Sequence, residues 1–330
     1  MKTVIIGSGS WGCGLAQVLA DNDRDVYIWG IDKDELNDIR CNHKNAKYFD
    51  TILSDKIKVA YELDIVKDAD IIVLSVPSIA IEDVCQKINN LVTKKIIIVN
   101  TSKGFHPISN ERMSNVIRDN IDESKLSSVV SLIGPSHAEE VVLRMLTAIC
   151  AVSLKEKDAT IIQEYFSNDY LRVYRGDDEI GSEIGVAFKN SIALASGVLA
   201  GLGYGDNAKA ALVTRGLNEM VRFGVMMGGK RETFYGLTGL GDLVVTCTSV
   251  HSRNFQAGYQ IGKEDSIENF MKNNTKTVEG IRAAEIIYKL GKKANIDLPI
   301  INEIYASLYQ NKVPSVSISD LMGRDLKEEM

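Results

Sequence analysis

The sequence predicts an α/β chain of two parts, a doubly wound parallel sheet domain followed by a mostly α-helical second domain. Three observations carry this. The first half alternates short β-branched runs with amphipathic stretches, as βα units over a parallel sheet do. The first of these runs leads directly into the glycine turn GSGSWG (7–12). After Gly176 the texture changes to long Ala, Gly, Leu and Met segments of helical period. With 330 residues, 45% hydrophobic and 25% charged, the chain can bury two cores.

In chain order, strands are predicted at TVII (3–6), DVYIW (25–29), IKVA (57–60), DIIVLS (70–75), KIIIVN (95–100) and SVVSLI (128–133). Several are nearly continuous in Val, Ile and Leu, which suits strands covered on both faces. TAICAVS (147–153) and LRVYRG (171–176) are two further strands around a helix over 156–167. The division falls near Asp178, giving parts 1–178 and 179–330. In the second part only VVTC (244–247) reads as a strand, and IGVAFKNSIALASGV (184–198) lies on the first long helix.

Net charge is −6, and no run of lysines and arginines suggests a nucleic-acid footprint or a membrane-surface helix. An anionic ligand must therefore be met locally. Cys13, Cys41, Cys85, Cys150 and Cys247 are odd in number and dispersed, without a CxxC, so neither a disulfide frame nor a zinc site is implied. Reduced thiols in a cytoplasm fit this usage. The first residues, MKTVIIGSGSWGCG, resemble neither a signal peptide nor a span, so no integral membrane segment is expected.

A bare GxGxxG is weak evidence, but here it sits between a strand and a helix, the setting a Rossmann-type dinucleotide turn requires. Gly7 permits the tight turn, Gly9 removes a side chain where pyrophosphate approaches backbone, and Gly12 lets helix pack on strand. The N–H groups of Ser10 and Trp11, with the helix dipole, would hold phosphate oxygens. The first part is thus expected to bind a dinucleotide. Asp32, twenty residues past Gly12 and at the end of the second strand, can bind the ribose 2′-hydroxyl of NAD or cap the following helix. Ile31 and Asp32 offer no cation for a 2′-phosphate, although Lys33 is adjacent. NAD is therefore preferred, with NADP as the alternative. Open α/β sheets bind ligands at the carboxyl ends of their strands. SVPS (75–78), NTSKG (100–104) with Lys103, and GPSHAEEV (134–141) with Gly134, Ser136 and Ala138 all fall at such ends.

In the helical part, GLTGLGDLVVTCTSVHSRN (236–254) is the densest polar and glycine-rich stretch. Asp242 either caps a turn or supplies a counter-charge. Ser252 as N-cap leaves N–H groups pointing outward, and Arg253 and Asn254 add a guanidinium and an amide: an anion site suited to phosphate. The helical period puts Gly185, Ile192, Ala193 and Ser196 on one stripe with Lys189, so its amine is expected to stand over mostly small side chains. Alone, such a lysine would lay its stem on apolar surface and reach water. Combined with Lys103 as a second cation and Asp242 as an orienting carboxylate, it becomes a proton donor for hydride transfer between nicotinamide and a carbonyl.

GSGSWG, VPS, TSKG, GPSHAEEV, the long helix with KN, ALVTRGLNEM, GLGDLVVTC, SRN and VEG occur in the order and spacing of the bacterial NAD(P)-dependent glycerol-3-phosphate dehydrogenases, and the resemblance covers nearly the whole chain. It implies reversible oxidation of sn-glycerol 3-phosphate to dihydroxyacetone phosphate, run physiologically as reduction to supply glycerophospholipid synthesis. It also implies that Lys189 is the proton acceptor, with Asn190, Asp242 and Thr246 around the reacting carbons, and that Lys103 reaches both cofactor and substrate. Gly134 and Ser136 would touch substrate and Ala138 cofactor. Ser252, Arg253 and Asn254 match the phosphate-binding SRN, with Arg253 also near cofactor, and Ser10, Trp11 and Glu279 match cofactor contacts. Two departures stand out. Ile31 replaces a residue often basic or histidine, which favours NAD, and Leu146 stands where the family carries a proline. The expected partner is a small phosphorylated substrate, not nucleic acid, and a homodimer is the expected assembly. Other two-domain dehydrogenases would lack the SRN anion site, and a non-catalytic nucleotide sensor would have no use for Lys189, Asp242 and Arg253 together.

Overall fold

The computed structural model describes residues 1–274, 278–326 and 328–329. The chain forms two compact units, Met1–Glu183 and Ile184–Met330.

The first unit runs β1 (Lys2–Ile6), α1 (Ser10–Asp21), β2 (Asp25–Trp29), α2 (Lys33–Asn42), β3 (Lys58–Ala60), β4 (Ile71–Leu74), α3 (Ile81–Leu91), β5 (Ile96–Asn100), α4 (Met113–Asp119), β6 (Leu126–Ile133), α5 (Ala138–Val142), β7 (Thr147–Val152), α6 (Glu156–Phe166) and β8 (Leu171–Gly176). The strands make one sheet in the order β3-β2-β1-β4-β5-β6-β7-β8. The continuous apolar strands are explained by two cores. Ile5, Ile71, Val73, Ile97 and Val99 face one core with α1, α5 and α6. Their neighbours Val4, Ile6, Ile72, Leu74 and Ile98 face the other with α3 and α4.

The sheet is parallel except at one pairing. β7 runs antiparallel to β6, with Leu132 opposite Ala151, and β8 then pairs parallel to β7. The connection explains the reversal. The only helix between β6 and β7 is α5, with 5 residues against the 8 of β6. A helix of that length rises about 7–8 Å, whereas the strand spans about 26 Å, so the chain is not carried back for a parallel crossover.

The second unit is helical. Helix α7 (Glu179–Gly201), whose first five residues belong to the first unit, is followed by α8 (Asp206–Met226), a π-turn at Leu237–Gly241, α9 (Asp242–Thr248), α10 (Arg253–Glu264), α11 (Glu268–Asn273), α12 (Glu279–Lys293), α13 (Pro299–Tyr309) and α14 (Pro314–Met322). VVTC (244–247) is part of helix α9 and not a strand. Val244 and Val245 favour extended backbone in isolation, but packing overrides that preference: Leu243, Thr246 and Cys247 are buried together on one side of the helix. Helix α7 is long and apolar enough to cross a membrane, and 78% of its apolar window is buried within the protein.

Helix α13 lacks a capping side chain of its own, and Glu219 on α8 does that work. Its carboxylate is 1% exposed and accepts the N–H groups of Ile300 and Ile301 at 2.7 and 3.2 Å. Burial pushes the Glu219 carboxyl up to about 7 against the pull of those two donors. The folded state then holds this proton more tightly than the unfolded chain, so the contribution is full in acid and is lost as pH rises through about 7. Glu219→Gln should therefore gain on the native chain by about 3 kcal/mol in unfolding free energy between pH of about 4.5 and 7.5, measured by denaturant titration. A constant difference across that range would show that Glu219 ionises normally.

Candidate active site

The glycine turn and the polar segments expected beside it lie at strand termini of the first unit. Gly7 has φ +116°, and a Cβ there would lie 2.2 Å from the Ser75 carbonyl oxygen. At Gly12 a Cβ would lie 2.0 Å from the Gly7 carbonyl oxygen, so both positions exclude side chains by backbone contact. Gly9 differs: the nearest atom to its Cβ position is the Tyr48 hydroxyl at 4.0 Å. Its bare backbone therefore faces open space beside the first turn of α1. That turn has no side-chain cap and no acidic residue, leaving its N–H groups and dipole for an anion. The turn fits a pyrophosphate on the strength of this cradle.

Asp32 caps α2: its Oδ1 accepts the N–H groups of Asp34 and Glu35 at 3.0 and 3.3 Å. Its Oδ2 pairs with Lys47 Nζ at 3.1 Å, and that bond holds the Asp32 carboxyl below its ordinary range. Ile31 beside it is 90% exposed. Past β5, Lys103 Nζ donates to the Gly134 carbonyl oxygen at 3.0 Å, and Ser136 Oγ donates to the same oxygen at 3.1 Å. Gly134 has φ +150°, and a Cβ would press on Ile149 at 3.0 Å. Ala138 opens α5 just beyond. Lys103, Gly134, Ser136 and Ala138 are thus brought together as expected from their places at strand ends. Leu146 is 86% exposed before β7.

In the second unit Lys189 is 4% exposed, so its stem does not carry the amine to water. Nζ donates to Asp242 Oδ1 at 2.7 Å and to Thr246 Oγ1 at 2.8 Å. Asp242 is 1% exposed. A buried ammonium needs a carboxylate and hydrogen bonds, and it has both. Thr246 in turn donates its hydroxyl to the Asp242 carbonyl at 2.6 Å, which aims an oxygen lone pair at the amine. Spacing of i and i+4 on α9 puts both partners on one face. Asn190 joins a second set: it accepts from Asn254 Nδ2 at 3.0 Å and donates to Glu279 Oε2 at 3.3 Å. Asn254 Oδ1 accepts the Gly280 N–H at 2.9 Å, tying the start of α12 to α7 and α10. Ser252 caps α10 through the Phe255 N–H at 3.2 Å, and Arg253 is the exposed first residue of that helix.

Sequence reasoning missed Glu35, Asn45 and Lys47, which surround the glycine turn from α2 and the segment after it. The D-x-x-E pattern of Asp32 and Glu35 is a helix-start signal, but nothing in it says that Glu35 reaches back to Ser8.

A doubly wound sheet with an open glycine turn, and a helical unit with a buried lysine paired to a carboxylate, define the class of nicotinamide-dependent dehydrogenases with a helical second part. Residues 2–159 match the model of the NAD-dependent glycerol-3-phosphate dehydrogenase N-terminus and residues 178–319 that of its C-terminus. The chain belongs to the NAD-dependent glycerol-3-phosphate dehydrogenase family. It is 48% identical to the glycerol-3-phosphate dehydrogenase [NAD(P)+] of Listeria monocytogenes, over 99% of this chain and 98% of that one. The enzyme of the same name from Staphylococcus haemolyticus is 42% identical over 99% of both. Its structure is similar to that of glycerol-3-phosphate dehydrogenase from Coxiella burnetii, with a TM-score of 0.89, 30% identity, and coverage of 98% of this chain and 99% of that one.

The glycines should separate by experiment. Gly12→Ala is expected to cost several kcal/mol of stability because its methyl meets backbone. Gly9→Val should leave the melting temperature nearly unchanged and weaken dinucleotide affinity at least about tenfold in a fluorescence titration. Full affinity in Gly9→Val would remove the turn from the phosphate site.

Proposed function

We propose that this chain interconverts dihydroxyacetone phosphate and sn-glycerol 3-phosphate with a nicotinamide dinucleotide, Lys189 serving as proton donor and acceptor. The observation that carries the reading is the buried Lys189–Asp242 pair at 2.7 Å, in a chain whose relatives are named for that reaction. When bound, the nicotinamide supplies a hydride to the carbonyl carbon, or takes one from the alcohol carbon. Lys189 gives its proton to the carbonyl oxygen in reduction and takes it from the hydroxyl in oxidation. Asp242 keeps the ammonium oriented and compensates its charge, and Thr246 fixes the direction of Nζ. Asn190 holds the substrate hydroxyl region in the same reading, tied to Asn254 and Glu279.

Ser252, Arg253 and Asn254 receive the substrate phosphate at the start of α10, where the dipole, the backbone donors and a guanidinium favour a dianion. Lys103 serves cofactor and substrate, Gly134 and Ser136 the substrate, and Ala138, Ser10, Trp11 and Glu279 the cofactor. NADH is preferred over NADPH through Asp32. The product feeds glycerophospholipid synthesis from a reducing cytoplasm, where the five free cysteines stay as thiols, and the enzyme works as a homodimer.

Initial rates of NADH and NADPH oxidation with dihydroxyacetone phosphate test this directly. NADH should be favoured at least about tenfold; no turnover with either would overturn the substrate. Lys189→Ala should lower kcat by roughly 100- to 10,000-fold with dinucleotide affinity little changed. Arg253→Ala should instead raise the substrate KM by roughly 10- to 100-fold, as expected for a lost charged hydrogen bond. An unchanged kcat in the first would take Lys189 out of the chemistry, and an unchanged KM in the second would move the phosphate elsewhere.

A further inference from the structure

The segment following α2 braces the glycine turn through buried polar contacts. Asn45, 1% exposed, donates Nδ2 to the Ser8 carbonyl at 2.8 Å. Glu35, in the first turn of α2 and 8% exposed, gathers three donors. Ser8 Oγ reaches it at 2.5 Å, Lys47 Nζ at 2.6 Å and Tyr48 Oη at 3.2 Å. Lys47 Nζ also pairs with Asp32 Oδ2 at 3.1 Å, so one ammonium is shared by two carboxylates. The Lys47 side chain is 56% exposed and that of Asp32 38%, which leaves this pair open to a ligand while Glu35 anchors it from behind.

The place of this cluster gives it a consequence. The end of β2 is where the adenosine ribose lies in sheets of this kind. A 2′-hydroxyl can donate to the Asp32 carboxylate. A 2′-phosphate brings about two negative charges to a rim that already holds Asp32, Asp34 and Glu35. Lys33 and Lys47 stand against these, while Ile31 offers apolar surface. Lys47 is the cation positioned to answer the phosphate, and both of its carboxylate partners compete for it.

We propose that Glu35 and Lys47 set the chain's choice between NADH and NADPH: Glu35 keeps the Lys47 ammonium paired within the protein and so withholds it from a 2′-phosphate. The inference rests on the nicotinamide-dinucleotide reading above. It makes Glu35 a specificity-determining residue that touches no cofactor atom and acts through Lys47. Glutamine at 35 could still accept the Ser8 hydroxyl, so the turn keeps its brace while the second carboxylate is gone.

The test is the dissociation constant of NADH and of NADPH, each titrated by nicotinamide fluorescence without substrate, for the native chain, Glu35→Gln, Lys47→Met and the double variant. Glu35→Gln should improve NADPH binding relative to NADH by about tenfold, and Lys47→Met in the same chain should abolish that gain. Lys47→Met alone, a change at an exposed side chain, should weaken NADPH several-fold while moving NADH less. An unchanged NADPH-to-NADH ratio in Glu35→Gln overturns the proposal, as does equal weakening of both, which would make Glu35 a structural brace only. A gain that survives loss of Lys47, or an unaltered ratio in Lys47→Met alone, overturns it as well. If the native chain binds neither dinucleotide, the cofactor reading itself falls and takes this inference with it, an outcome distinct from a measurable but unaltered ratio.

Discussion

A lysine ammonium held at 4% exposure is the constraint around which the second unit is arranged. An unpaired charge there would be intolerable, and removal of one partner from such a pair costs about 3–5 kcal/mol. The carboxylate must therefore come close, and the backbone carrying it must come closer than side chains normally permit. Gly185, one turn before Lys189, lies where a Cβ would sit 2.5 Å from the Thr238 carbonyl oxygen, and a Cβ at Gly239 would sit 2.1 Å from that of Phe234. The π-turn at 237–241 then delivers Asp242 onto the first turn of α9. Ser196, two turns past Lys189, ties down the other end of α9 by donating to the Cys247 carbonyl at 2.8 Å. The small residues of the stripe are thus backbone-contact sites for the segment that compensates the charge.

The same economy of volume places the start of α10. Gly197 and Gly201 on α7 would collide, if given a Cβ, with the Phe255 and Tyr259 carbonyl oxygens of α10 at 2.0 and 2.3 Å. In return Gly258 and Gly262 on α10 meet the Leu194 and Val198 carbonyl oxygens at 1.9 and 2.3 Å. Two reciprocal glycine pairs let these helices cross with backbones in contact, and Asn254 at the start of α10 can then reach Asn190, the residue after Lys189. Lys189 and the start of α10 are held in register by four missing side chains. The intrinsic cost of glycine inside helices, about 0.5–1 kcal/mol each, is offset by that close packing.

Much of this was legible because the relevant signals are local. Continuous Val and Ile runs announced strands covered on both faces, Ser252 announced a helix start, and a glycine turn between strand and helix announced the bare first turn of α1. What was not legible depends on contacts distant in sequence. VVTC reads as a strand by its β-branched residues, but Asp242 and Thr246 both face Lys189, across 53 and 57 positions, and only a helix puts i and i+4 on one side. The reversal of β7 follows from the shortness of α5, which no periodicity in a five-residue segment can declare. Glu219 capping α13 from 81 residues away left no mark in either segment.

The two helices that begin beside the nucleotide turn show how charge is apportioned there. α1 starts without a cap or an acidic residue, so its positive end stays uncompensated, whereas α2 starts with Asp32 as cap and Asp34 and Glu35 in its first turn. Both dipoles favour negative charge at their N-termini. In α2 that demand is met by the protein's own carboxylates, and in α1 it is left for an external anion. A dinucleotide laid along this edge would thus meet an attractive field at its pyrophosphate and a nearly saturated one at its adenosine ribose. At the start of α2 the surplus carboxylates Asp32 and Glu35 share one ammonium, that of Lys47. Glu35 carries that ammonium and the Ser8 hydroxyl together, so the charge at the start of α2 and the brace of the glycine turn are one arrangement that Asp32 does not by itself describe.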